Sequence, residues 1–229
     1  MSAYHHQPKG RIRPCTLVFS LLIVVFSVFI PAHSGSHSNK IQPTINNPSN
    51  LVKLGAAGEV LSLKAQQWSC VKDQQTGLFW QKHDPSSALH GHDTFTWYQP
   101  EQVNSGSQRA HPDLDWADTT CFGFNPNDTS SFCNSSAYAE RVNQSNYCGY
   151  SDWRLPTSEE LLTLVDSTRV QQDIRPRLDT RFFPFNDAFL FWTSTINNDD
   201  VVVTIFRDDM ILETSERDDK GSIRLVRGQ

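Results

Sequence analysis

Residues 147–166 read YCGYSDWRLPTSEELLTLVD and combine a cysteine, a glycine, an extended Trp-Arg-Leu-Pro segment and a helix signal. Pro156 ends the extended segment, and Thr157 followed by Glu160 has the spacing of a capping box, so we predict a helix over residues 157–166. The apolar residues of that helix expected to face the core are Leu161, Leu164 and Val165. Such density is typical of an active site or of the structural hub of a small secreted fold. We favour the hub.

The flanking segments predict an α+β domain. Residues 68–82 contain two strand patterns joined by a turn through Gly77, and residues 135–143 have one apolar face at helical spacing. Four later segments predict strands: residues 189–195, 201–206, 211–214 and 223–227. A hairpin, two helices and an antiparallel meander in this order are typical of the α+β class. The loop-rich stretch 84–131 is long enough that we expect it to be functional or held by a crosslink.

The amino-terminal region predicts export. Residues 1–34 place three basic residues before an uncharged apolar run at 16–30 and end with small residues, as a secretory signal peptide does. The run is short for a membrane-spanning helix, although an uncleaved anchor is the alternative. Residues 35–67 are interpreted as a linker and a leading strand, in which Leu61 and Leu63 alternate, and residues 68–229 as the domain.

The charge of the domain is strongly negative. Residues 1–34 hold three of the 20 basic residues and none of the 25 acidic ones, so the remaining chain has a formal charge of −8. From Trp68 onward, 14 basic residues stand against 24 acidic ones, a formal charge of −10. This balance argues against a nucleic-acid partner, and against an anionic surface unless the basic residues cluster.

Four cysteines predict two disulfides. Beyond Cys15, which opens the apolar run, the chain contains Cys70, Cys121, Cys133 and Cys148. An even number in an exported chain indicates disulfides, with three possible connectivities. We favour Cys121–Cys133 closing a local loop and Cys70–Cys148 tying the first hairpin to the middle of the domain. No Cys-x-x-Cys spacing is present, which argues against a redox motif or a zinc knuckle.

Six segments, in order along the chain, resemble a bacterial family named after the C-terminal domain of the Legionella collagen-like adhesin. They are WSCVKDQQTGLFWQK (68–82), FTWY (95–98), NYCGYSDWRLPTSEELLTLVD (146–166), FFP (182–184), FWTST (191–195) and IRLVRG (223–228). The resemblance implies an exported protein with an adhesive role. The namesake binds sulfated glycosaminoglycans, but we do not transfer that ligand because this domain is acidic. The chain has no collagen-like Gly-x-y tract, so trimerisation is not transferred either.

A fainter resemblance concerns the fold. The region from the first predicted helix to the second is similar to the two-helix half of C-type lectin-like domains, a shape shared with formylglycine-generating enzymes. In that fold the terminal strands pair, which would bring Cys70 and Val71 near residues 223–226. The calcium-and-sugar triplets of true C-type lectins are missing from the corresponding positions.

Metal candidates are weak in this sequence. His90, His92 and Asp93 supply too few ligands for a zinc site by themselves. Oxygen-rich loops at residues 113–118 and 125–128 have the composition of calcium ligands but not the spacing of an EF-hand. The calcium candidates that we retain are Asp199, Asp200, Asp208 and Asp209. Calcium at these positions is the one cofactor that the sequence leaves open, and it assigns no metal site.

The sequence favours binding over catalysis. It has no Gly-x-Ser-x-Gly element, and formylglycine-generating chemistry needs reactive cysteines that we assign to disulfides. Arg154 and Arg224 are expected to pair with carboxylates such as Asp152 or Glu160 rather than with a ligand. We predict an exported, non-enzymatic adhesion module for glycans or a surface protein, in contact with a membrane only if residues 1–34 stay attached. The alternatives are an enzyme of the formylglycine-generating or hydrolase type and a structural subunit of a surface assembly.

Overall fold

The computed structural model describes residues 50–83, 89, 93–100, 119–184, 190–197, 200–204 and 212–228, with the backbone alone at residues 200–202 and 204. Within these described residues, three α-helices lie between the two groups of strands. They are α1 (Ser135–Gln144), α2 (Ser158–Leu162) and α3 (Ser167–Gln171). Short 3₁₀ turns occur at Thr129–Ser131 and Tyr147–Gly149. The predicted signal segment lies outside the described residues.

The strands form two antiparallel sheets. Sheet one has the order β1-β2-β3-β7, and sheet two has the order β4-β5-β6. Sheet one consists of β1 (Leu51–Leu54), β2 (Cys70–Asp73), β3 (Phe79–Gln81) and β7 (Val226–Arg227). Sheet two consists of β4 (Phe191–Asn197), β5 (Asp200–Thr204) and β6 (Leu212–Ser215). The predicted mixture of helices and antiparallel strands is confirmed.

The first hairpin forms where the sequence predicts it. Gly77 has a φ of 77°, which favours glycine, and its N–H donates to the carbonyl of Asp73 at 2.9 Å. The leading strand, however, is β1 and not the segment around Leu61 and Leu63. Leu63 is 54% exposed, so the alternation of these leucines does not create a buried face. The N–H of Leu61 donates to the carbonyl of Lys53, beside β1.

The predicted meander is wrong in one strand. Only Val226 and Arg227 are strand residues within segment 223–227, and β7 pairs with β3 of the first sheet. Ahead of it, Gly221 bridges to Phe95 and Ser222 bridges to Phe191, so the chain leaves the second sheet before it reaches β7. The ends of the domain therefore meet in sheet one, with Phe79 opposite Arg227 rather than Cys70 opposite the terminal strand.

The helix predicted over residues 157–166 is two helices. α2 ends at Leu162, and Val165 forms an antiparallel bridge with Leu178. The Asp166 carboxylate then accepts hydrogen bonds from the N–H groups of Thr168 and Arg169 and starts α3. The helix predicted over residues 135–143 is confirmed as α1, which Asn134 caps.

Both disulfides join the pairs favoured from the sequence. Cys70–Cys148 links β2 to the 3₁₀ turn after α1, and its Cα atoms are 6.2 Å apart. Cys121–Cys133 closes a local loop with a Cα separation of 5.4 Å. All four cysteines belong to one buried cluster, in which the largest side chains are Trp97, Tyr138, Trp153 and Trp192. A second cluster packs around α2 and contains Trp80, Leu161, Phe183 and Phe191.

The capping box of α2 gives a testable contribution to stability. The Thr157 hydroxyl accepts from the Glu160 N–H at 3.1 Å, and the Glu160 carboxylate accepts from the Thr157 N–H at 2.8 Å. Arg154 donates two further bonds to the same carboxylate, at 2.7 and 2.8 Å. Burial pushes the pKa of Glu160 up, but these hydrogen bonds outweigh it and hold the pKa below its usual value.

We expect Glu160→Gln to lower the free energy of unfolding by about 1 kcal/mol at pH 7. A depressed carboxyl pKa contributes stability above the unfolded value near 4.3, and that contribution is lost as the pH falls through the lower folded value. The difference between wild type and variant should therefore shrink below about pH 4. Urea denaturation at pH 7 and pH 3 measures it, with Glu140→Gln on the exposed face of α1 as the control. A difference as large at pH 3 as at pH 7 would contradict the assignment.

Candidate ligand-binding groove

The Trp-Arg-Leu-Pro segment connects the two sheets. The backbone of Arg154 exchanges two hydrogen bonds of 2.9 Å with Val226 of β7. Two residues later, the Pro156 carbonyl accepts from the backbone N–H of Ser194 in β4 at 2.7 Å. Between them Leu155 is fully buried. This short extended segment therefore fixes the position of α2, which follows it, relative to both sheets.

Trp153 anchors the segment in the core. Its side chain is 2% exposed, its indole N–H donates to the Tyr147 carbonyl at 2.9 Å, and the two rings pack edge to face. The Asn143 side chain holds the backbone of Trp153 on both sides, accepting from its N–H and donating to its carbonyl. The interpretation of this motif as a structural hub agrees with these contacts.

The first turn of α2 is tied to β4. The backbone N–H of Ser158 donates to the hydroxyl of Thr195 at 2.9 Å, which replaces the hydrogen bond that a first-turn N–H lacks within its helix. Glu159 follows and is exposed. Because α2 begins at this contact, its first two residues are held beside the second half of β4.

An open groove of about 770 Å³ lies between α2 and the second sheet. Three stretches of chain line it: the start of α2, the end of β4 and the edge strand β6. The lining residues are Ser158, Glu159, Thr195, Ile196, Asn197, Leu212, Glu213 and Thr214. Three hydroxyls, one amide and two carboxylates thus surround two aliphatic side chains. This lining contains neither an aromatic ring nor a basic group among the described residues.

Ser158 lines the groove although it is only 2% exposed. Its hydroxyl can donate one hydrogen bond and accept two. Ser158 therefore adds a polar side chain to the lining of the groove.

The structure brings none of the calcium candidates into a described site. Asp199, Asp208 and Asp209 lie outside the described residues, and Asp200 is described only through its backbone, which pairs with Asn197 in the turn from β4 to β5. His90, His92 and residues 113–118 also lie outside. In residues 125–128, the Asn125 and Asp128 side chains accept from backbone N–H groups two residues on, which is ordinary turn chemistry. Among the described residues, no group of His, Cys, Asp or Glu has the arrangement of a metal site.

The predicted arginine pairs are partly different. Arg154 pairs with Glu160 as expected. Asp152 pairs with Arg227, whose guanidinium lies 3.7 Å from the ring centroid of Tyr150, and the hydrogen bonds from Arg227 lower the pKa of Asp152. Arg224 is fully buried and donates to the backbone carbonyl of Gln81 at 3.0 Å.

Sequence reasoning missed the groove. Ser158 and Glu159 stand inside the motif that carries the family resemblance, at positions that the capping box does not use. Polar residues at positions that capping does not require are a sequence signal for a polar groove. Nothing in the sequence, however, brings β6 and α2 to one groove, because this depends on how the second sheet packs against a helix far earlier in the chain.

The chain folds as a disulfide-linked α+β domain with an open groove whose lining is mostly polar. The chain belongs to the Lcl C-terminal domain family, whose model matches residues 69–227. This confirms the resemblance and is compatible with a surface binding module. A search of curated proteins and a search of solved structures each returned no match. Within the described part of the chain, none of the helices has the length and apolar character needed to cross a membrane.

Proposed function

We propose that the protein is an exported, non-enzymatic adhesion module that binds glycans in the groove between α2 and the second sheet. The observation that carries the proposal is the lining itself, which combines the side chain of Ser158 and several exposed polar groups with two aliphatic side chains. Specific sites commonly combine apolar contact area with a few placed polar groups.

The chemistry of the lining supports a sugar. A pyranose ring presents hydroxyls around its edge and C–H groups on its faces. Thr195, Asn197 and Thr214 can exchange hydrogen bonds with such hydroxyls, while Ile196 and Leu212 supply apolar contact. Both aliphatic residues also pack against the core, so the apolar strip has a firm support.

The disulfides support binding rather than formylglycine-type catalysis. That chemistry uses reactive thiols, and Cys70, Cys121, Cys133 and Cys148 are joined in pairs. Disulfides also persist in oxidising compartments, which supports export. We extend the proposal to a C-type lectin-like relationship, supported by the pairing of β7 with β3, which brings both ends of the domain into one sheet.

A glycan array with the full chain, in the presence and absence of calcium, tests the proposal. We expect binding to a defined set of glycans, weakened at least tenfold by Thr214→Arg, because a long side chain at this exposed position would fill the groove. Ser151→Arg, at an exposed position outside the lining, is the matched control and should leave binding unchanged.

Two outcomes would contradict the proposal. Absence of binding to every glycan would remove the sugar as ligand. New reducing ends after incubation with a bound glycan would show hydrolysis and favour the paired-carboxylate alternative, with Glu159 and Glu213 as its candidates.

A further inference from the structure

The outer edges of sheet one are covered by other parts of the same chain. At β1, the backbone N–H of Leu61 donates to the carbonyl of Lys53 at 2.9 Å. At β7, Arg154 exchanges two backbone hydrogen bonds of 2.9 Å with Val226. Uncovered edge strands present rows of unpaired backbone groups to which another chain can pair, and proteins usually block them. Sheet one follows this rule at both ends.

Sheet two is covered at one edge only. Along β4, the backbone N–H of Trp192 donates to the Ser222 carbonyl at 3.0 Å, and that of Ser194 donates to the Pro156 carbonyl at 2.7 Å. Outside its regular ladder with β5, by contrast, the backbone of β6 makes no hydrogen bond within the described residues. β6 also contains neither proline nor lysine, which commonly block an edge. Of the four edges of the described sheets, β6 is therefore the open one.

The pairing pattern shows which backbone groups of β6 point outward. Trp192 directs its N–H away from β5, so its pair with Val203 is one of the pairs that exchange no hydrogen bonds. Val203 therefore directs its backbone groups toward β6 and exchanges hydrogen bonds with Glu213, which lies opposite. Leu212 and Thr214, on either side of Glu213, then direct their N–H and carbonyl groups away from the sheet.

An extended polypeptide is the partner that matches these groups. Two donors and two acceptors, two residues apart, are the pattern that an added antiparallel strand pairs with, through as many as four hydrogen bonds. Its residues opposite Leu212 and Thr214 would project on the side of the sheet where these side chains lie. The residue between them would lie opposite Glu213, with its side chain on the other side.

Charge determines which strand fits. If Leu212 paired with Thr214 of a second copy, the two Glu213 side chains would lie directly opposite each other, and like charges in that position destabilise pairing. Glu213 is exposed, and the ion pairs of the described residues do not include it. Residues 193–215 carry a formal charge of −4, from five acidic residues and one basic residue. A basic residue opposite Glu213 would instead form a favourable cross-strand pair.

We propose that β6 is a docking edge for an extended, basic segment of a partner protein, which would add a fourth strand to the second sheet. In this mode of recognition, main-chain hydrogen bonds supply affinity and alternate side chains supply specificity. The contact uses the backbone of β6 and does not depend on what the groove binds, so it goes beyond the proposed function.

Backbone amide hydrogen exchange, followed by NMR on the full chain, is the first test. The probe is a blocked heptapeptide of alternating lysine and valine, beginning with lysine. In the free chain we expect slow exchange at Glu213, whose N–H is bonded to Val203, and fast exchange at Leu212 and Thr214. A saturating concentration of the peptide should slow exchange at these two amides at least tenfold.

Calorimetric titration with modified peptides separates strand pairing from charge attraction. If a lysine lies opposite Glu213, the valines lie opposite Leu212 and Thr214 and direct their N–H groups to β6. Methylation of the valine backbone nitrogens should therefore weaken binding at least tenfold, whereas methylation of the lysine backbone nitrogens should change it less than threefold. Replacement of the lysines by glutamates should also weaken binding at least tenfold.

Variants of the chain locate the contact. Thr214→Pro removes an outward N–H without removing a hydrogen bond to β5, and an edge strand tolerates proline at such a position. It should weaken the peptide at least tenfold, while Thr214→Val, which keeps the N–H, should stay within twofold of wild type. Glu213→Gln should weaken the peptide at least threefold, and Glu140→Gln on α1 should have no effect.

Three results would overturn the proposal. They are unchanged exchange at Leu212 and Thr214 with the peptide at saturation, equal effects of the two methylated peptides, and a dimer of the full chain that Thr214→Pro dissociates. The last, measured by sedimentation, would show that a second copy occupies the edge. If Thr214→Pro does not fold, the methylated peptides decide with the wild-type chain. Failure here leaves the glycan proposal standing, because the array is read without the peptide.

Discussion

Replacing Cys70 and Cys148 together by alanine should destabilise the domain more than replacing Cys121 and Cys133. A disulfide restricts the unfolded chain in proportion to the logarithm of the loop that it closes. The two loops span 78 and 12 residues. The chain-entropy relation then gives about 4.5 kcal/mol for the long-range bond and about 2.8 kcal/mol for the local one. The long-range pair also crosses the core, where Cys70 and Cys148 are buried.

Urea denaturation of both double variants at pH 7 measures this difference. The local variant, Cys121→Ala with Cys133→Ala, is the matched control, because it removes the same number of sulfur atoms from the same buried cluster. A larger loss from the local variant would contradict the prediction. Peptide mapping under non-reducing conditions gives a second readout, since a different connectivity would show as exchanged partners.

Much of the fold was accessible from local sequence signals. The turn at Gly77, the cap of α1 and the capping box of α2 each depend on residues within four positions of one another. Such interactions depend only on neighbouring residues, so a short sequence pattern is enough to predict them. The pairing of Cys70 with Cys148 is not a local signal of this kind, because it joins residues 78 positions apart and the cysteine count leaves three connectivities open.

The failures share a different cause. The end of α2 and the pairing of β7 are decided by residues far away in sequence, namely Leu178 opposite Val165 and Phe79 opposite Arg227. Helix propensity would have allowed α2 to continue to Asp166. A local sequence pattern contains no information about contacts with residues that are distant in the chain. Where such a contact forms, tertiary packing overrides helix propensity. The groove was missed for the same reason, because β6 and α2 line it together only when the second sheet packs against the helix.

Arg224→Ala should be among the most damaging single substitutions in the described chain. Arg224 is fully buried, and its guanidinium lies 4.7 Å from the ring centroid of Phe183 and 5.3 Å from that of Phe191. It also donates to the carbonyl of Gln81 at 3.0 Å. The Gln81 side chain in turn donates to the buried Tyr138 hydroxyl at 2.7 Å, so Arg224 lies beside a polar link between β3 and α1. Burial lowers the pKa of Arg224 and raises the pKa of Tyr138 to about 12.

Truncation would open a cavity beside two phenyl rings and remove a cation–π contact that is strong away from water. We expect a loss of about 3 to 5 kcal/mol in the free energy of unfolding, as for other large buried side chains. Arg154→Ala is the matched control. Its guanidinium is 44% exposed and pairs with Glu160 at the surface, so its loss should stay near 1 kcal/mol or less. Equal losses from the two variants in urea denaturation would contradict the prediction. Equal losses would mean that the charge of an arginine, and not its burial, determines its contribution to the free energy of unfolding.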